Sequence, residues 1–149
     1  MPDIISNTSC LIVLDNIGML HILKELYGNI IITEEVAIEF GKELPPWVVI
    51  EKVLDRKIIK ILSSVVDPGE ASTIALNSEK ADAVMILDDL KARKLAKSLD
   101  MRFTGTIGVI VKAKDIGIIK DIYDVINKLK QSGFRISQAI EERVLREEN

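Results

Sequence analysis

The run Ala83-Val84-Met85-Ile86-Leu87-Asp88-Asp89 sets five consecutive apolar residues directly before two carboxylates. Apolar residues without alternation are the pattern of a strand covered on both faces, as at the centre of a parallel sheet. Helices must supply that cover, and the flanking segments have helical spacing. After the run, Ala92, Leu95, Ala96 and Leu99 recur on one face with Lys91, Lys94 and Lys97 opposite, and Arg102-Phe103-Thr104 returns as a strand into Gly105. Before it, Asp67-Pro68-Gly69-Glu70 has the signals of a helix start: Asp as cap, Pro at the first helical position and Glu at the third. Ala71, Ile74, Ala75 and Ser78 then form a small, packable face.

Further out the same alternation continues. Ile4-Ile5 is a short buried-strand signal ending at Ser6-Asn7-Thr8, and Leu11, Leu14, Met19, Leu20, Leu23 and Leu26 have helix spacing with a break at Gly18. Ile30 to Ile32 is a β-branched strand, and Thr33 is an N-cap with Glu34 and Glu35 in the first turn. Leu44-Pro45-Pro46-Trp47 must be irregular, Val48 to Val53 is an edge strand or an extended link, and Ile58 to Val66 has no decisive pattern. Beyond Gly105 come a helix over 107–114, a break at Gly117, a helix carrying Ile119, Ile122, Ile126 and Leu129, and a last helix opened by Ser137 with Ile140 and Val144 inside. A βαβα rhythm predicts an α/β fold with a mainly parallel sheet and right-handed crossovers.

Size and composition agree. A chain of 149 residues with 48% hydrophobic and 29% charged residues has the content of one globular domain over residues 1–149, not of a disordered chain. Its apolar runs fall far short of the roughly 20 residues needed to cross a bilayer. The amino terminus lacks the basic start and apolar stretch of a signal peptide, so a cytoplasmic protein with no membrane contact is expected. Cys10 and His21 are single, which excludes an internal disulfide and a Cys/His zinc cluster. A bound metal would be held by oxygen, which favours magnesium, manganese or calcium. The net charge of −3 gives no general attraction to nucleic acid, so such a partner needs a local basic surface or metal ions.

Open parallel sheets bind ligands beyond the carboxyl ends of their strands. Asn7 and Ser9 follow the first strand, Asp88 and Asp89 the central one, and Thr104, Gly105 and Thr106 the next, so all share one rim, whereas Asp82 precedes its strand and belongs at the other end. Adjacent carboxylates at a rim repel unless protonated, solvated or joined by a cation, which makes Asp88 and Asp89 the leading metal candidates. One of the two is also expected to cap the following helix. Glu70 occupies a capping-box position, and Glu39 taken alone is an ordinary solvated helix residue. Thr104-Gly105-Thr106 offers hydroxyls and N–H groups at a helix start, suited to an anion or to a plain turn and cap. Lys91, Arg93, Lys94, Lys97, Arg102, Lys112 and Lys114 would steer an acidic backbone or simply face water.

Taken in order, Ser6-Asn7-Thr8-Ser9, Val36 to Phe40, Asp67-Pro68-Gly69-Glu70-Ala71 with Ile74-Ala75-Leu76, Leu87-Asp88-Asp89, Ala96, 104–109, Ala113-Lys114 and 133–137 resemble the PIN domain family, in particular its VapC-like members. The resemblance implies a three-layer α/β/α fold and Mg2+- or Mn2+-dependent cleavage of RNA. It also implies a homodimer and a toxin restrained by an antitoxin protein. Its first acid falls at Asn7, its helix-borne acid at Glu39 and its central acid at Asp89 or Asp88, with Glu70 as an additional acid. The implied catalytic set is therefore Asp89, Asp88, Glu39 and Asn7, and the metal set Asp89, Asp88, Glu39 and Glu70. Ser9, Thr104, Thr106, Lys91 and Lys94 would contact substrate. Two departures weaken metal binding: Asn7 stands where the family has Asp, and Thr106 or its neighbours stand where many members have a later acid. They favour an alternative, a PIN fold that binds RNA or protein without cutting. A phosphoacceptor receiver domain fits less well, because its paired acids follow the first strand.

Overall fold

The computed structural model describes residues 1–146; the last three residues of the expected 1–149 span lie outside the described residues. In chain order the elements are β1 (Asp3–Ser6), α1 (Thr8–Asn16), α2 (His21–Tyr27), β2 (Ile30–Thr33), α3 (Glu34–Phe40), β3 (Val48–Glu51) and α4 (Arg56–Leu62). They continue with α5 (Pro68–Ser78), β4 (Ala83–Ile86), α6 (Leu90–Ser98), β5 (Phe103–Thr104), α7 (Thr106–Asp115), α8 (Ile122–Gln131) and α9 (Gln138–Arg146). All five strands are parallel, in the order β3-β2-β1-β4-β5. The chain builds outward from β1 to one side and then returns to add β4 on the other. Strand order therefore reverses between β1 and β4, the place where a crevice opens at the carboxyl ends.

Side chains alternate across the sheet, as strand geometry requires. Ile5, Met85 and Leu87 pack on one face with Ile59 of α4, Ile74 of α5, and Ala92 and Ala96 of α6. Ile30, Ile32 and Ile86 pack on the other with Leu11 and Leu14 of α1, Ile22 of α2, Ile110 of α7 and Leu129 of α8. The result is the three-layer α/β/α arrangement expected from the βαβα rhythm.

The undecided segments resolve as an edge strand at 48–51 and as α4, whose N-cap Asp55 accepts bonds from the N–H groups of Lys57 and Ile58. Other expectations need correction. Leu99, expected inside, is 47% exposed because α6 ends at Ser98 and Leu99 has left the helical stripe. Ile140 is 45% exposed, and Val144 is the buried residue of α9 among the described residues. Ser78 is exposed, and α5 is not one-faced: Gly69 and Ala71 through Asn77 are all buried. Ile119 precedes α8, which starts after its cap Asp121.

The small residues of α5 set how closely its neighbours approach. They bring α3 against it, and the buried hydroxyls of Thr33 and Ser72 bond each other at 2.7 Å. Thr33 also caps α3 by accepting from the N–H of Val36 at 3.1 Å, as its sequence position predicts. One side chain thus fixes the start of α3 and ties it to α5.

Candidate active site at the strand carboxyl ends

Asn7 leaves β1 at the reversal of strand order, its N–H bonded to the carbonyl of Ile86 at 3.1 Å. Its Oδ1 accepts from the N–H of Cys10 at 3.2 Å and caps α1. That bond fixes the orientation of the amide, because only the oxygen accepts. Nδ2 is left buried without a hydrogen-bond partner among the described residues. The Asn7 oxygen is thus committed to the helix cap, and the group that remains is a donor.

Glu39 comes from the last turn of α3. Its Oε1 accepts from the hydroxyl of Thr8 at 3.1 Å and lies against Gly69, where a Cβ would overlap the carboxylate. Glycine at this place thus lets Glu39 lie against the first turn of α5, where exposed N–H groups favour negative charge. Partial burial still raises the Glu39 pKa, the Thr8 bond opposes the rise, and the charge of Asp67 adds to it.

Glu70 is the most perturbed acid of the rim. Asp67 caps α5 by accepting from the Glu70 N–H at 3.0 Å, but the reciprocal bond of a capping box is not made. The Glu70 side chain faces the carboxyl of Asp67 instead. Burial first, then a hydrogen bond and charge repulsion from Asp67, and then the charges of Asp89 and Glu39, push its pKa up to about 8. Asn7, Thr8, Ser9, Ile12, Glu39, Asp67 and Glu70 line a hollow of about 150 Å³. Cys10 beneath it is no nucleophile, since burial pushes its thiol up to about 12.

The two aspartates after β4 part company. Asp89 caps α6, its Oδ2 accepting from the N–H of Ala92 at 3.0 Å, while its charge acts on Glu70. Asp88 turns to the other side: Oδ1 accepts from the N–H of Thr106 at 2.8 Å and Oδ2 from its hydroxyl at 2.5 Å. The anion held by the Thr104-Gly105-Thr106 turn is therefore the chain's own Asp88. Gly105 eases this approach, as a Cβ there would stand a tight 3.0 Å from Asp88 Oδ1.

Of the residues singled out from sequence, Asn7, Ser9, Glu39 and Glu70 line one hollow and Asp89 acts electrostatically on it. Asp88 and Thr106 are bonded to each other, and Thr104 lines a separate groove. Lys91 and Lys94 line a shallow surface with Ser64 and Val65, apart from the hollow. Sequence reasoning missed Asp67 and Thr8 as parts of the site, treating Asp67 as a cap alone; its place one helical turn before Glu70 was the available signal.

A donor set made of carboxylates and hydroxyls matches a hard divalent cation, and the Glu70 pKa is raised by burial first and by the neighbouring carboxyls second. Among the described residues, no three Asp, Glu, His or Cys side chains stand close enough to chelate an ion. No curated protein and no solved structure matched the chain. A family model described as PIN domain matches residues 3–149. Nearly the whole chain is covered by that match, and its parallel sheet and acidic rim accord with it: the protein belongs to the PIN domain family.

Proposed function

We propose that this chain is a Mg2+- or Mn2+-dependent ribonuclease that hydrolyses RNA phosphodiesters at the carboxyl ends of β1 and β4. The observation that carries the reading is the convergence of Glu39, Asp67 and Glu70 on one hollow with Asp89 in electrostatic range, where burial first and then the neighbouring carboxyls push the Glu70 pKa up to about 8. Glu39, Glu70 and Asp89 are the ligands of the reading. Asp88 positions the start of α7 through Thr106, and the Asn7 amide donates to an oxygen of water or phosphate. A bound ion would supply an activated water and stabilise charge on the scissile phosphate. The finer assignment, a VapC-like cytoplasmic toxin that forms a homodimer and is restrained by an antitoxin, rests on the ordered motifs. The test is cleavage of RNA with Mg2+, Mn2+ and chelator, comparing the parent with Asp89→Asn. Asn caps a helix as well as Asp, so the fold stays and the charge goes. Undiminished cutting by the variant would refute the assignment.

A second reading, a module that binds RNA or protein without cleavage, is favoured by the Asn7 oxygen being committed to Cys10 and by the loose spacing of the acids. Manganese titration separates the two, since a binding module has no specific site and no chelator-sensitive activity.

A further inference from the structure

Several basic side chains of this protein are tied up in ion pairs. Lys42 with Asp15, Arg56 with Glu35, Lys80 with Glu51, Arg102 with Asp82, Lys128 with Asp124 and Lys130 with Glu141 all form ion pairs. Three arginines gather at one place instead. Arg93, Arg135 and Arg143 make no ion pair among the described residues, and all three line one groove of about 780 Å³. Its sides are α6, β5 and α7 on one hand and the 134–137 segment with α9 on the other. Arg93 is held in place over the ring of Phe103, 5.1 Å from its centroid. Between the arginines the walls are apolar, with Phe134, Leu90 at 78% exposed and Ile140 at 45%. Asp88 and Gly105 also line the groove, and Asp88 precedes the helix cap Asp89 in the chain.

We propose that this groove is a binding track for a single strand of RNA leading to the acidic rim. Three unpaired guanidinium groups in a chain of net charge −3 call for an anionic occupant, and arginine's planar fork matches phosphate oxygens. The apolar walls call for flat, weakly hydrated surface, which unpaired bases present and a duplex hides within its stack. Asp88, the residue before Asp89, lines this groove, so a strand lying here passes beside the carboxyl end of β4, which favours RNA over an acidic protein segment. The track extends the nuclease reading by giving the path of the substrate, but binding in the groove needs no metal. The two are therefore tested apart.

The experiment is fluorescence anisotropy of a labelled 10-nucleotide single-stranded RNA, with a single-stranded DNA and a duplex RNA as further arms, in chelator. Arg135→Ala/Arg143→Ala is compared with Lys57→Ala/Lys60→Ala, which removes the same charge from α4, and with Arg135→Lys/Arg143→Lys, which keeps charge and fold but loses the fork. The first variant should bind RNA at least tenfold more weakly and lower the logarithmic salt slope by about 1.4, the expectation for two lost contacts to a single strand. The α4 variant should lose less than twofold, the lysine variant should fall between, and duplex should bind more weakly than single strand. Equal losses in the first two variants, no RNA affinity in the parent, or a preference for duplex would each overturn the proposal. Loss of binding without any metal-dependent cutting would uphold the groove and sink the nuclease reading; cutting with unchanged binding in the arginine variants would do the reverse.

Discussion

Glu70→Gln tests the electrostatics of the rim without RNA. The parent side chain is half-buried between Asp67, Asp89 and Glu39, and its pKa stands at about 8 against an ordinary 4.5. A folded-state value above the unfolded one means that the native protein holds a proton which the unfolded chain releases. The stability that Glu70 contributes is therefore fully present below pH 4.5 and is lost as pH rises through about 8. At about 1.4 kcal/mol per pH unit the bound is about 5 kcal/mol. Because much of the carboxyl is in contact with solvent, screening reduces this to about 1–2 kcal/mol. Gln keeps the shape and cannot ionise. Urea unfolding in chelator at pH 5 and 8.5 should therefore show Glu70→Gln gaining about 1–2 kcal/mol on the parent across that interval. Manganese should restore the parent at pH 8.5 and leave the variant unmoved. Parallel stability profiles for the two proteins would refute the like-charge account of the hollow.

Gly69→Ala should push the Glu39 carboxylate out of the hollow, since a Cβ overlaps Oε1 there. The end of that side chain can swing into solvent and Ala favours helix, so stability should change by less than about 1 kcal/mol while manganese affinity by calorimetry falls. Wild-type affinity would remove Glu39 from the ligand set. Asp88→Ala leaves the N–H and hydroxyl of the fully buried Thr106 without their acceptor. Each such donor costs about 1–3 kcal/mol, so urea unfolding should show a loss of about 2–4 kcal/mol, against about 1 for Asp88→Asn, which keeps one acceptor. A cost as small as that of Asp89→Asn would mean that the Asp88 to Thr106 tie does not hold the start of α7.

Much of the architecture was legible because it depends on interactions within a few residues. The apolar run at 83–87, the β-branched triplet at 30–32, the Thr33 cap and the Asp67-Pro68 helix start all lie where periodicity and capping chemistry put them. Where local rules misled, tertiary packing was the cause. Ile140 has the spacing of a buried residue, yet in α9 the burial falls on Val144. Glu70 has the position of a capping-box acid, yet its side chain turns to Asp67.

The site divides along the same line. By itself the amino-acid order settled which residues sit at the carboxyl ends of the strands, because strand direction and chain order suffice for that. It could not choose between Asp88 and Asp89, whose roles separate only once α7 brings the N–H and hydroxyl of Thr106 to one of them. Nor could it orient the Asn7 amide, bring Glu39 onto Gly69, or gather Arg93, Arg135 and Arg143 around one groove. Those outcomes depend on contacts between segments tens of residues apart, such as the Thr33 to Ser72 bond. Charges brought together across such distances leave no periodic trace in the chain, so only the packed structure decides them.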